Sequence, residues 1–104
     1  MKKQEILATL KTLQLKYRQE GVELLGLFGS YARDEQNDAS DIDILIETTP
    51  AFLKKHLGFR AFTKLDSIKS DLRSIFNKPV DLVDKKALEQ HHNTHILKST
   101  LYVS

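Results

Sequence analysis

The pattern of apolar and polar residues divides the chain into alternating helices and strands. Between Lys2 and Glu20, apolar residues recur at every third or fourth position, which is the period of a helix with one buried face. That face consists of Ile6, Leu10, Leu13 and Tyr17, and Leu7 and Leu15 are expected to extend it. Gly21 then ends the helix. We interpret this face as core packing rather than as a binding surface.

Three short apolar runs predict strands. The first is Val22 to Phe28, in which Glu23 and Gly26 are the only interruptions. The second is Asp41 to Glu47, where isoleucine alternates with other residues, and the third is Val80 to Val83. Alternation at period two is typical of a strand with one buried face.

Helical segments are predicted between and after these strands. A short helix is expected from Ser30, a second within Ala51 to Leu57, and a longer one within about Phe59 to Asn77. The longer helix has an apolar face of Leu65, Ile68, Leu72 and Ile75. A last helix is predicted for Lys86 to Lys98, followed by an extended segment at Leu101 to Val103. The order α-β-α-β-α-β-α predicts an α/β (α+β) fold.

Composition narrows the class of protein. The 104 residues carry a net charge of +2, and their 16 basic and 14 acidic side chains are interspersed. Direct nucleic-acid binding is therefore not expected, although modest positive charge helps to attract a nucleotide triphosphate. The absence of cysteine excludes disulfides and thiol nucleophiles. No apolar run has the length of a signal peptide or membrane span, so we expect one cytoplasmic domain, residues 1–104, without a membrane partner.

Candidate chemistry begins where the first strand ends. Gly29 allows backbone to approach a ligand closely, and Ser30 is placed to cap a helix whose free N–H groups favour phosphate. These two residues predict a phosphate site. Arg33 fits either a phosphate contact or an exposed salt bridge.

Asp41 and Asp43 share the face of the second strand that the isoleucines leave free. Residues two apart on a strand are separated by roughly 6–7 Å, so both carboxylates can approach metal ions spaced about 3.5–4 Å apart. Two such acids repel each other unless a cation lies between them, and Mg²⁺ prefers hard oxygen ligands. The pair therefore predicts a magnesium site.

The segment from Gly29 to Arg33, followed by Ser40 to Ile46, resembles the signature of the nucleotidyltransferase superfamily that includes the DNA polymerase β palm. More narrowly, it resembles the minimal nucleotidyltransferase (MNT) proteins, small prokaryotic chains paired with HEPN-domain partners. The resemblance implies a palm-like fold with a small mixed three-stranded sheet packed by helices. It also implies a third carboxylate at Asp81 and nucleotide contacts from Gly29, Ser30, Arg33 and Ser40.

The resemblance further implies an activity. The chain is expected to transfer AMP from ATP to a tyrosine hydroxyl of a HEPN toxin, with two Mg²⁺ ions held by Asp41, Asp43 and Asp81. In that case it would be the antitoxin of the pair. Two alternatives stay open: transfer to a small molecule, as in aminoglycoside modification, and a non-catalytic nucleotide-binding antitoxin that acts by occlusion.

Several residues complicate this interpretation. Asp34 replaces the glycine that the family commonly has after the arginine, and an acid there is unfavourable beside a triphosphate unless it points to solvent. Asp84 competes with Asp81, but it lies on the opposite strand face and is expected to begin or cap the last helix. His91 and His95 are four apart on a predicted helix; without a third ligand we interpret them as ordinary surface or half-buried histidines.

Overall fold

The computed structural model describes residues 1–92 and 94–103. Within these residues, six helices and four strands follow one another: α1 (Lys3–Gln19), β1 (Val22–Phe28), α2 (Gly29–Ala32), β2 (Ile42–Thr48), α3 (Pro50–Lys55), α4 (Phe59–Phe76), β3 (Val80–Asp84), α5 (Lys85–Gln90), α6 (Thr94–Ser99) and β4 (Leu101–Tyr102). The α/β prediction is confirmed. None of the helices in these residues has the length and apolar content needed to cross a membrane.

The predicted last helix is two helices. α5 ends at Gln90, and α6 begins at Thr94. Between them, His92 has a backbone φ of 57°, which a continuous right-handed helix does not accommodate. The prediction of a single helix was therefore wrong. The apolar residues between Lys86 and Lys98 follow only a weak helical pattern, and such a pattern does not show where a helix is interrupted.

The sheet has the strand order β3-β2-β1-β4 and is mixed. β1 pairs with β2 and with β4 in antiparallel orientation, whereas β2 and β3 are parallel. The mixed sheet is confirmed, but it has four strands, not three, because Leu101 and Tyr102 pair with Leu27 and Gly26. Gly26 permits this pairing, since a Cβ there would lie 2.3 Å from the carbonyl oxygen of Leu101.

A bulge in β1 sets which of its residues face the core. The register with β2 shifts between Leu24 and Gly26, so Leu25 is an extra residue on β1. As a result both Leu24 and Leu27 are fully buried, although strict alternation would place residues three apart on opposite faces.

The main core lies between the sheet and helices α1 and α4. The three fully buried residues of α1 are Ile6, Leu10 and Tyr17, as predicted, and Leu13 is partly buried against them. Leu15 is 63% exposed, so the expectation that it extends this face was wrong. In α4 the buried residues are Ile68, Leu72 and Phe76. Ile75 is exposed instead of buried, because the packed face follows a spacing of four residues that continues to Phe76.

Candidate active site

Asp43 occupies the middle of the site because its strand is central. In the sheet it lies opposite Phe28, the last residue of β1, and opposite Asp81 of β3. Residues directly opposite on neighbouring strands point to the same face, and such strands lie about 4.8 Å apart. The carboxylates of Asp43 and Asp81 are therefore neighbours on one face. Folding thus places Asp81 beside Asp43, and the role of Asp81 as the third acid stays a prediction.

Asp41 lies just before β2, which begins at Ile42 rather than at Asp41 as predicted. The backbone N–H of Ile42 donates to the carbonyl oxygen of Pro79 at 2.9 Å, which joins the start of β2 to the start of β3. The exposed Asp41 side chain is thereby held beside the ends of both strands.

The electrostatics of the site centre on Asp43. Burial of the Asp43 carboxyl is the largest effect that raises its pKa, followed by the negative charges of Asp81 and then Asp41. Arg33 opposes them and lowers the pKa of the same group. A partly buried carboxylate that faces two others is stabilised by a cation, and oxygen ligands suit Mg²⁺. The donor set thus fits the predicted metal chemically.

The acids do not form a closed metal cage. Among residues 1–92 and 94–103, no group of three or more His, Asp or Glu side chains is arranged so that it could hold a metal ion. Asp81 is more than half exposed, and its Oδ1 lies 3.8 Å from Nζ of Lys69. The predicted joint ligation by Asp41, Asp43 and Asp81 would therefore require side-chain movement, and it stays a prediction.

Lys69 is the site residue that the sequence did not reveal. It lies in α4, one residue after the buried Ile68, and twelve positions before Asp81 in the chain. Neither the residues next to Lys69 in the chain nor the family motif indicates that it belongs to the site. Only the packing of α4 beside β3 brings its ammonium group to the third acid.

Two features of the structure require glycine at position 29, namely its backbone conformation and the nearby carboxylate of Asp43. Its φ is +76°, a conformation that residues with a Cβ rarely adopt. A Cβ at this position would also lie 2.1 Å from Oδ2 of Asp43. Gly29 therefore allows the strand-to-helix turn to pass directly against the central acid.

Ser30 does not cap α2, and this prediction was wrong. The N-cap residue is Phe28, and no side chain makes a capping hydrogen bond. The turn is made at Gly29, so Ser30 is already inside the four-residue helix. Its hydroxyl is not used as a cap, and its predicted contact with phosphate stays a prediction.

Arg33 and Asp34 form separate ion pairs at the end of α2. Nε of Arg33 donates to Oε2 of Glu35 at 3.1 Å, which is the exposed salt bridge that was one of its two predicted roles. Asp34 has a φ of 57°, which explains why glycine suits this position. Its carboxylate lies 2.9 Å from Nζ of Lys3 in α1. The charge of Asp34 is thereby balanced by a lysine rather than left to face a nucleotide.

Ser40 stabilises the loop that precedes β2. Its hydroxyl accepts a hydrogen bond from the N–H of Asn37 at 3.0 Å, and its own N–H donates to the carbonyl oxygen of Asn37 at 3.1 Å. The side chain thus already has a structural role. The predicted contact with a nucleotide stays a prediction.

Asp84 is confirmed as a helix cap. Its carboxylate accepts from the N–H of Lys86 at 2.8 Å and from the hydroxyl of Thr48 at 3.0 Å. It is the N-cap residue of α5. Because it lies opposite Ile46 in the sheet, it is on the face away from Asp43.

His91 and His95 lie in different segments of the structure. His91 follows α5, whereas His95 belongs to α6, so the two do not share a helix face as their spacing suggested. Both side chains are exposed. Their exposure agrees with the predicted surface position, and the absence of a metal role stays a prediction.

Comparison with known proteins shows the class of protein to which the chain belongs. The family model described as a nucleotidyltransferase domain matches residues 5–103. A candidate protein adenylyltransferase of Methanocaldococcus jannaschii is 44% identical over 91 residues, which cover 86% of this chain and 76% of that protein. Protein adenylyltransferase MntA of Thermococcus cleftensis is 35% identical over 85 residues, covering 80% and 76% respectively.

A solved structure agrees on the fold. It is described as a candidate minimal nucleotidyltransferase and matches with a TM-score of 0.73, covering 97% of this chain and 95% of that chain at 21% identity. The fold and the matched domain define a nucleotidyltransferase, an enzyme that uses a nucleoside triphosphate. Within that class, the chain belongs to the minimal nucleotidyltransferase family, as its motifs predicted.

Proposed function

We propose that this nucleotidyltransferase is a Mg²⁺-dependent protein adenylyltransferase that transfers AMP from ATP to a tyrosine hydroxyl of a HEPN-domain toxin. It would act as the antitoxin in a cytoplasmic hetero-oligomer with that toxin. Relatives named as protein adenylyltransferases, MntA among them, support the proposal. The observation that carries it is that Asp81 lies opposite Asp43 in the sheet, while the backbone of Gly29 passes directly against the Asp43 carboxylate.

Asp41, Asp43 and Asp81 are the residues that would hold two Mg²⁺ ions. Their oxygens are the hard ligands that Mg²⁺ prefers, and the raised pKa of Asp43 reflects a concentration of negative charge that a cation would relieve. The chemistry supplied by bound Mg²⁺ is charge neutralisation on the triphosphate and a lower pKa for the attacking hydroxyl.

The other residues would bind and orient the substrates. The backbone of Gly29 and the hydroxyl of Ser30 would hold the β- and γ-phosphates, and Ser40 would contact the nucleotide. Arg33 would exchange Glu35 for phosphate, because its guanidinium suits phosphate oxygens.

Asp81 would accept the proton of the attacking tyrosine. The tyrosine oxygen forms a bond to the α-phosphorus, the bond from that phosphorus to the bridging oxygen breaks, and pyrophosphate leaves with its electron pair. Since free tyrosine has a pKa of about 10, loss of the proton must be assisted at neutral pH.

The test compares Asp81→Asn with the matched control Asp84→Asn. Mg·ATP binding is measured by calorimetry, and AMP transfer to the purified partner is measured by mass spectrometry. Asp81→Asn should bind Mg·ATP with near-normal affinity but lose transfer, because Asp81 is proposed to act on the attacking hydroxyl and its loss lowers the rate of the reaction. Asp84→Asn should retain transfer, because this carboxylate caps α5 on the other face. Transfer that survives in Asp81→Asn would assign the third acid to another residue.

The occlusion alternative also has an observation in its favour, namely the ion pair between Lys69 and Asp81, which occupies the third acid. A wild-type protein that binds ATP and neutralises its partner without transferring AMP would establish occlusion. Transfer to an aminoglycoside but not to the partner would establish the small-molecule alternative.

A further inference from the structure

The corner between α3 and α4 exposes a cluster of large apolar side chains. The cluster, called the apolar corner below, consists of Leu53, Leu57, Phe59 and Phe62, which are 46%, 71%, 91% and 72% exposed. Gly58, Phe59 and Phe62 line an open groove of about 490 Å³ there. Each phenylalanine can bury about 150–250 Å² on contact. Large apolar side chains that are exposed next to one another are typical of an interaction site.

Basic residues border the apolar corner. Lys54, Lys55 and Arg60 are exposed beside it, and Asp66, which lines the cavity next to Phe62, is the one acidic residue among residues 50–68. Lys64 is already paired with Glu20. A symmetric contact between two copies would place these like charges against each other, which is unfavourable. The border therefore favours a partner with acidic side chains around an apolar surface.

The apolar corner is continuous with the active site along α4. Phe62 also lines a cavity of about 220 Å³ with Leu65, Asp66 and Lys69 of α4. The strand residues that line it are Ile46, Leu82 and Asp84, so it lies on the face of the sheet away from Asp43. Lys69 in turn lies 3.8 Å from Asp81. Phe62 and Lys69 are two helical turns apart, or about 10 Å at a rise of about 1.5 Å per residue. Because β3 is an edge strand, a protein bound at the corner would reach the third acid by extending around that edge, past Lys69.

We propose that the apolar corner and its basic border form the docking surface for the acceptor protein, whose matching surface is apolar with an acidic margin. Docking there presents the acceptor tyrosine at the Asp81 side of the site. The inference rests on the proposed function, because it names the surface that the same acceptor occupies.

The test uses the full chain and a purified HEPN-domain protein from the same organism. Binding is measured by calorimetry without nucleotide, and the variant is the double substitution Phe59→Ser and Phe62→Ser. Buried aromatic residues often dominate binding, so affinity should fall at least about 30-fold. The matched control is Leu15→Ser, a leucine that is 63% exposed on α1, which should leave affinity unchanged. ATP affinity should be unchanged in every variant.

A second variant, Arg60→Glu, tests the charge of the border without removing apolar surface. It should slow association with the partner and weaken its dependence on salt. Unchanged binding by the double variant would overturn the docking proposal. So would a wild-type homodimer that the double variant dissociates, or Phe59- and Phe62-dependent binding to vesicles of phosphatidylglycerol and phosphatidylcholine.

These outcomes separate the docking surface from the proposed function. Wild type that binds the partner through the apolar corner but transfers no AMP would refute the enzymatic function and retain the docking surface. Equal transfer by wild type and by the double variant at limiting partner concentration would do the reverse. If wild type binds no HEPN-domain protein, both proposals fail.

Discussion

The face of the sheet under α1 and α4 differs from the opposite face in what covers it. On the first face, Ile42 and Ile44 are fully buried in the main apolar cluster. On the second face, Leu45 is buried, but Asp43 is only partly buried and Asp81 is exposed. One strand can serve both faces because its side chains alternate. Stability and chemistry should therefore be separable by substituting adjacent residues.

The largest effect is expected from Asp43→Asn on the open face. Transfer should fall by at least about a thousandfold, since a ligand to the metal would be lost, and metal-ion stabilisation of transition-state charge is worth several kcal/mol. Rate and ATP affinity should be measured at saturating Mg²⁺. Near-normal turnover would contradict the proposed role of the acids.

The same variant should not lose stability. In metal-free protein, the raised pKa of Asp43 means that its ionised form is disfavoured on folding. The unfolded chain ionises first as the pH rises above 3.8, so wild type loses stability there, whereas the variant does not because its amide carries no titrating proton. The melting temperature of Asp43→Asn should equal that of wild type in strong acid and exceed it at neutral pH.

Ile44→Ala changes the neighbouring residue on the covered face. We expect a loss of about 2–5 kcal/mol in the free energy of unfolding, because a fully buried side chain is removed from a packed core. Urea unfolding measures this loss. At a temperature where the variant is still folded, ATP affinity should be retained; a selective loss of ATP affinity would show that the two faces are not independent.

Gly29→Ala changes the turn between β1 and α2, which passes against Asp43. It should cost about 1–2 kcal/mol, because a residue with a Cβ is forced to adopt a positive φ. The new Cβ would also displace the carboxylate of Asp43. The rate of AMP transfer should therefore be reduced even at temperatures where the variant is fully folded. Parallel measurements of melting temperature and transfer check both effects. Full activity would show that the close approach to Asp43 is not required.

Tyr17→Phe tests a polar atom within the covered side. Oη of Tyr17 is buried without a hydrogen-bond partner in the described structure, so its removal should change stability by at most about 1 kcal/mol, towards greater stability. Burial, then Asp71 and Glu20, raise the pKa of Tyr17 to about 12. Wild type should lose stability relative to the variant between pH 10 and 12, because the unfolded tyrosine ionises first. Equal alkaline unfolding of the two proteins would contradict this.

Much of the site could be predicted because its signals are local. The alternation in β2 separates Asp41 and Asp43 from the isoleucines, and Gly29 follows directly on an apolar strand. The buried face of α1 could be identified in the same way from Ile6, Leu10 and Tyr17. Such patterns show which side of an element faces inwards, because the period of a helix or strand depends only on its own backbone.

What the tertiary structure decided is which elements meet. The extended segment at Leu101 to Val103 was predicted, but its pairing with β1 as strand β4 was not, because that pairing depends on the room that Gly26 leaves for its backbone. Lys69 reaches Asp81 only because α4 packs beside β3. The exposure of Phe59 and Phe62 likewise depends on which elements pack against α4, and the sequence does not show this. Periodicity determined the faces of this protein, whereas the partners of those faces depended on contacts between distant residues, which no local pattern encodes.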